Sequence, residues 1–156
     1  MAYKLQYVSE LADQTAHKVT NSTAEWKRYL STSSRLFKYP FDEQLLIYAQ
    51  RPDATACASM ELWNETMRRW VKPRSKGIAL IRKDRRGRPT LEYVFDVSDT
   101  RPVKGAKTPY LWEMSEEHHA AVLEALERRY GPAEDGDIGE QIMELAARAV
   151  NEVYRD

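Results

Sequence analysis

Between positions 68 and 88 the chain carries Arg68, Arg69, Lys72, Arg74, Lys76, Arg82, Lys83, Arg85, Arg86 and Arg88 against a single acid, Asp84. Cations at this density suit a polyanion, because phosphate neutralisation dominates the affinity of proteins for nucleic-acid backbones. Trp70 lies among them, flanked by Arg68, Arg69 and Lys72. A tryptophan set between cations suits single strands in particular, since unpaired bases stack on the ring while the charges hold the phosphates. These eleven residues form the candidate nucleic-acid site. The same run also reads more plainly, as a solubilising hairpin whose charges pair with acids elsewhere in the chain.

Other residues with chemical potential are less specific. Trp63 follows Met60 by three positions and precedes Met67 by four, the spacing of one helix face, so it reads as core. Tyr93 and Phe95 share one strand face and read as core too, although aromatics on an open sheet face also stack bases. Trp26 and Trp112 read as core. Gly77 and Gly87 stand in no phosphate-cradling motif, so a nucleoside triphosphate site is not expected. His118 and His119 are adjacent, and neighbours on a helix point roughly 100° apart, a poor geometry for sharing one ion. Cys57, the lone cysteine, allows neither an intramolecular disulfide nor a cysteine zinc cluster and reads as a small core residue. No Ser/His/Asp or Cys/His arrangement is recognisable. No catalytic residue, metal or cofactor is expected.

The elements that must position the basic run change period along the chain. Leu5, Val8, Leu11 and Ala12, Ala16 and Val19 give an amphipathic helix over 4–19. Trp26, Tyr29 and Leu30, Ser33, Leu36 and Phe37 give a second. Leu45, Leu46, Tyr48 and Ala49 give a third, which Asp42 can cap, and Ser59 caps a fourth carrying Trp63. Arg69 to Lys72 is a candidate short strand and Ile78 to Ile81 an apolar one. Leu91, Tyr93, Phe95 and Val97 alternate with polar residues except at Val94. Asp84 to Pro89 makes the hairpin connection. Positions 99–109 read as a loop, and Tyr110-Leu111-Trp112 as a segment docked on the core. Ser115 is a cap candidate for a helix ended by Gly131-Pro132, and Ile138, Ile142, Leu145, Ala149 and Val153 mark a last helix. The expected fold is α+β, with about six helices around a two- or three-stranded antiparallel sheet.

With 156 residues, one domain over 1–156 is the natural count. Within it, 1–67 is helical, 68–98 is the basic β part, and 110–156 holds the acidic C-terminal helices. The formal net charge of zero conceals the asymmetry: 68–88 carries about +9, and 113–156, with twelve acids and four arginines, about −8. A hydrophobic share of 42% beside 31% charged residues marks a globular chain. There is no apolar run of membrane-spanning length and no signal-peptide core, so cytoplasmic residence without membrane contact is expected.

An ordered series of residues resembles a known family. Leu45-Leu46-Ile47, Gln50, Pro52, Ala54-Thr55, Trp63, Val71-Lys72 and Lys76-Gly77-Ile78 follow the pattern of the N-terminal single-stranded-DNA-binding domain of ArdC-type antirestriction proteins. The chain is more similar still to the N-terminal segment of large helicase/methylase-type proteins of conjugative elements. That similarity continues through Tyr93 to Thr100 and Pro109-Tyr110-Leu111-Trp112. The resemblance implies a non-catalytic single-stranded-DNA-binding module of a mobile genetic element, acting in antirestriction or in handling transferred DNA. Two departures stand out: Glu43-Gln44 where such sequences tend to have asparagine, and Arg74-Ser75 where they have Gly-Glu. The alternative expectation is a protein-binding inhibitor of a host defence nuclease, whose acidic C-terminal helices mimic DNA.

Overall fold

The computed structural model of the chain describes residues 2–111 and 115–153. Its centre is the helix Phe41–Gln50 (α3), where Leu45, Leu46, Ile47 and Tyr48 are buried in succession. Four buried residues in a row exceed what one amphipathic stripe provides, so the helix is covered on most sides. Ala2–Thr20 (α1) and Thr23–Arg35 (α2) supply two of its neighbours. Val8 and Val19 are the buried positions of the α1 stripe. Ser22 caps α2 by accepting the Glu25 N–H at 3.4 Å. Asp42 does not cap α3: that position belongs to Pro40, with Asp42 in the first turn, where its charge still favours the helix N-terminus.

The third neighbour is a sheet. Cys57–Ser59 (β1), Pro89–Asp96 (β4) and Ile78–Lys83 (β3) form three antiparallel strands in the order β1-β4-β3. Arg69–Val71 (β2) pairs with Thr100–Pro102 (β5) in a separate two-stranded ribbon. The architecture is α+β, as the periodicities indicate. Val94, which breaks the alternation of β4, pairs with Ile78, and both are buried. Gln50 joins helix to sheet: its carboxamide donates to the Ala79 carbonyl and accepts the Ala79 N–H, each at 2.9 Å. At Gly77 a Cβ would lie 3.1 Å from Tyr93 and 3.2 Å from Phe95, so the chain enters β3 against the aromatic pair only because no side chain intervenes.

Several elements differ from expectation. Strands β1 and β5 have no periodic signature, each being three residues long. The helix after Ser59 widens into a π-helical turn, Leu62–Thr66, whose first N–H is accepted by the Ser59 hydroxyl at 3.2 Å. Tyr110 and Leu111 are not docked on the core; they are exposed, Tyr110 at 84%. Trp112, expected beside them, lies outside the described residues.

Contacts group the chain into two compact units, Met1–Trp112 and Glu113–Asp156, so the acidic helices form a unit of their own. In the second unit Glu116–Tyr130 (α4) pairs with Ile138–Val153 (α5), and Leu145 is buried. Gly131 ends α4 at φ 86°, and Asp137 opens α5 by accepting the Gly139 and Glu140 N–H groups at 2.8 and 3.0 Å. Ser115 precedes α4 without capping it; its hydroxyl meets His118 Nδ1 at 2.9 Å instead.

Candidate nucleic-acid interface

The ribbon β2–β5 carries Trp70. Arg69 and Val71 turn inward and are half-buried, which leaves Trp70 on the outer face with 52% of its surface exposed. Its partner across the ribbon is Arg101, also exposed. Residues directly opposite in an antiparallel pair share a face with Cβ atoms about 5 Å apart, so the Arg101 side chain leaves the ribbon on the same face as the ring. Backbone bonds extend the pairing past the strands. Val103 N–H donates to Arg68, Lys107 N–H to Met67, and Lys72 N–H to Asp99. The segment 99–107 therefore runs beside 67–72 and brings Lys104 and Lys107, both exposed, to the side of Arg68.

Two arginines at this ribbon hold left-handed backbones, Arg68 at φ 55° and Arg74 at φ 65°. Such conformations cost non-glycine residues of order 1 kcal/mol or more each. The Arg68 carbonyl, held by Val103, and the Lys72–Ser75 turn around Arg74 fix them. Both side chains are exposed, as is Lys76. Not every cation of the run is free. Arg69 Nε donates to the Thr100 hydroxyl at 2.9 Å, and Lys72 Nζ to the Ser98 carbonyl at 2.8 Å.

The β3–β4 hairpin presents the second group. Lys83, Arg85, Arg86 and Arg88 are exposed. Asp84 organises the tip: its carboxylate accepts the Arg86 and Arg88 N–H groups at 2.8 and 2.9 Å and pairs with the Arg88 guanidinium. The Arg88 backbone bond acts most strongly on Asp84, and although desolvation opposes it, the carboxyl is held below its ordinary range. Pro89 and Phe95 are six strand residues apart, so the tip lies about 20 Å from the β1 end of the strand. The basic run is thus split between two surfaces.

Arg82, read from the sequence as one of the outward-reaching cations, is held in ion pairs. Its guanidinium grips Glu43 of α3 at 2.7 and 3.0 Å and Glu92 of β4 at 2.8 Å. The Glu43 bond chiefly raises the Arg82 pKa further above its already high value. Glu43 is buried, so the pair fastens α3 to the sheet. The next residue is also used internally: Gln44 accepts the Tyr29 hydroxyl at 2.8 Å and donates to the Leu36 carbonyl at 3.1 Å.

Beneath the ribbon lies a buried polar seam that the sequence reading did not single out. Asp96 is 2% exposed, and its carboxylate accepts the Thr55 and Ala56 N–H groups and the Ser98 N–H and hydroxyl, at 2.6 to 3.1 Å. Burial alone raises its pKa, but these four bonds outweigh it and the carboxyl ends below its ordinary value. Arg51 spans the same region, with bonds to Asp99 at 3.0 and 3.2 Å and to Ser98 at 2.7 Å. Trp63, 2% exposed, closes the seam by donating its indole N–H to the Phe95 carbonyl at 2.8 Å. Burial pushes the Cys57 thiol up to about 12, which keeps it protonated and unreactive.

Among the described residues no cluster of His, Cys, Asp or Glu is arranged to hold a metal ion, and no helix is long and apolar enough to cross a membrane. Sequence reasoning missed Arg101, Lys104 and Lys107; their recurrence every three residues around Gly105 was the available signal. Comparisons with protein families, curated proteins and solved structures find no match.

Proposed function

We propose that the chain is a non-catalytic module that binds single-stranded DNA through the β2–β5 ribbon, with the hairpin tip as a second electrostatic contact. The observation that carries this reading is the half-exposed Trp70 ring directly opposite Arg101, edged by Arg68 and Arg74 in strained conformations. A ring that offers a face beside cations grips unpaired bases and their phosphates together. A ribbon of two three-residue strands carries no recognition helix for a duplex groove. The resemblance to ArdC-type proteins supports DNA over RNA and a role in antirestriction or in handling the transferred strand of a mobile element, within the cytoplasm.

The test is fluorescence anisotropy on single-stranded and duplex oligonucleotides of equal length at two salt concentrations. The single strand is expected to bind more tightly, with affinity falling as salt rises. Equal or tighter duplex binding would overturn the reading.

A second reading has one observation in its favour. The acidic unit is compact by itself, and Glu116, Glu117, Glu124, Glu134, Asp135 and Glu140 are exposed on it. That surface suits a DNA-mimicking inhibitor of a host defence nuclease. A chain acting in this way would show no affinity for DNA and would lose its partner on reversal of those acids.

A further inference from the structure

The first unit contains a cavity of about 260 Å³. Leu36, Leu62, Trp63 and Met67 form apolar walls, and Thr55 contributes a hydroxyl-bearing side chain. Phe37 and Tyr110 also line it while remaining 57% and 84% exposed. Large aromatic side chains held this far out of the core stay at a cavity only at the expense of unburied apolar area.

The charges around the cavity narrow what it can hold. Lys38 lines it, with its Nζ 5.9 Å from the centre of the Phe37 ring. Arg35 lines it as well, but its guanidinium is turned to the Ala54 and Pro52 carbonyls at 2.9 and 3.3 Å, which leaves Lys38 as the cation at the mouth. Five residues, Lys38, Tyr39, Cys57, Ala58 and Leu62, also line a broader basin of about 540 Å³ that continues to Tyr93 and to Arg82 with its partners Glu43 and Glu92. Apolar walls with aromatic lips and a cationic border fit a flat heterocycle attached to an anionic chain. The volume is below the roughly 300–1,000 Å³ of sites for drug-sized ligands, so one ring system fills it.

We infer that this cavity seats one unpaired nucleobase, turned out of a bound single strand and stacked against Phe37 or Tyr110, with its phosphate held by Lys38. The inference rests on the single-strand reading and deepens it, because it adds to Trp70 a second, recessed base position in the same unit. A base enters without breaking any pair, which favours single strands again.

The experiment compares a thymidine oligonucleotide with an abasic oligonucleotide of equal length, which has the same phosphates and no bases. Wild-type protein is expected to prefer the thymidine strand. Phe37→Ala/Tyr110→Ala should reduce that preference by roughly 5- to 150-fold, one stacked base's worth, with the salt dependence unchanged. Photocrosslinking of a 5-iodouracil strand should label Phe37 or Tyr110. Tyr110→Ala alone, at the more exposed ring, provides a variant whose fold is not at stake and should show part of the loss. An unchanged preference in both variants, with crosslinks confined to Trp70, would overturn the pocket and leave the ribbon reading standing. Binding of neither strand by the wild type would overturn both.

Discussion

The seam around Asp96 and the ribbon around Trp70 are joined by the Lys72–Ser98 bond, yet they treat charged and aromatic groups in opposite ways. In the seam, each oxygen of the Asp96 carboxylate has two donors, Arg51 has three acceptor residues, and the Trp63 N–H has a carbonyl. In the ribbon, Arg68, Arg74 and Arg101 are exposed, two of them on unfavourable backbones, and a tryptophan shows half its surface. Buried polar groups must be paired because desolvation is costly. Exposed cations face no such demand and stay open to a partner. The lesson is that the number of arginines in a segment says little, whereas the satisfaction of each guanidinium separates scaffold from surface.

The contrast can be broken most severely at Trp63. Trp63→Ala removes a filled core position and an indole hydrogen bond, and should cost about 3–5 kcal/mol of stability in a denaturant melt. A variant as stable as the wild type would take Trp63 out of the core. Asp96→Asn comes next, at about 1–3 kcal/mol, because an amide group must face backbone N–H donors. The sign with pH follows from the lowered folded pKa. The stabilisation by Asp96 is fully present above its unfolded value near 4, and is lost as pH falls through the lower folded value. Wild-type stability should therefore drop more steeply than that of Asp96→Asn below about pH 4, and parallel curves would remove Asp96 from the seam's energetics.

Trp70→Ala sharpens the other side. It should leave the melting temperature nearly unchanged and weaken single-strand binding by about 1–3 kcal/mol in a titration. Unaltered binding would shift weight to the acidic unit. The smallest effect is expected at the hairpin tip. Arg85→Glu/Arg86→Glu should change stability by less than about 0.5 kcal/mol. It should reduce the slope of log affinity against log salt by roughly 1.4, for two phosphate contacts on a single strand. An unchanged slope would take the tip out of the interface.

Much of this division was legible in the chain. Trp63 reads as core from its spacing to Met60 and Met67, and Trp70 as exposed where cations begin; both tryptophans lie so, although Met60, expected on the Trp63 face, is itself exposed. The widening of the helix into a π-turn was not legible, since no residue type marks it. Arg82 looked like its neighbours because its partner, Glu43, is 39 positions away. The β5 strand was read as loop: three residues ending in proline offer no alternation, and only the pairing with β2 makes them a strand. That pairing brings Arg101 opposite Trp70, so the missed strand and the missed cations have one cause. The cavity escaped for a similar reason, since its lining comes from segments as distant as Arg35 and Tyr110.

The Gln50 amide has a consequence for how the molecule behaves among its own copies. β3 is the outermost strand of its sheet, and Ala79 lies near its start, where a foreign strand would begin to pair. By offering one donor and one acceptor to Ala79, the Gln50 side chain imitates a single residue of a further strand and ends the ladder there. Gln50→Leu keeps the bulk of the side chain but leaves that peptide unmatched and open to strand addition, so light scattering should show more edge-to-edge association for this variant than for the wild type.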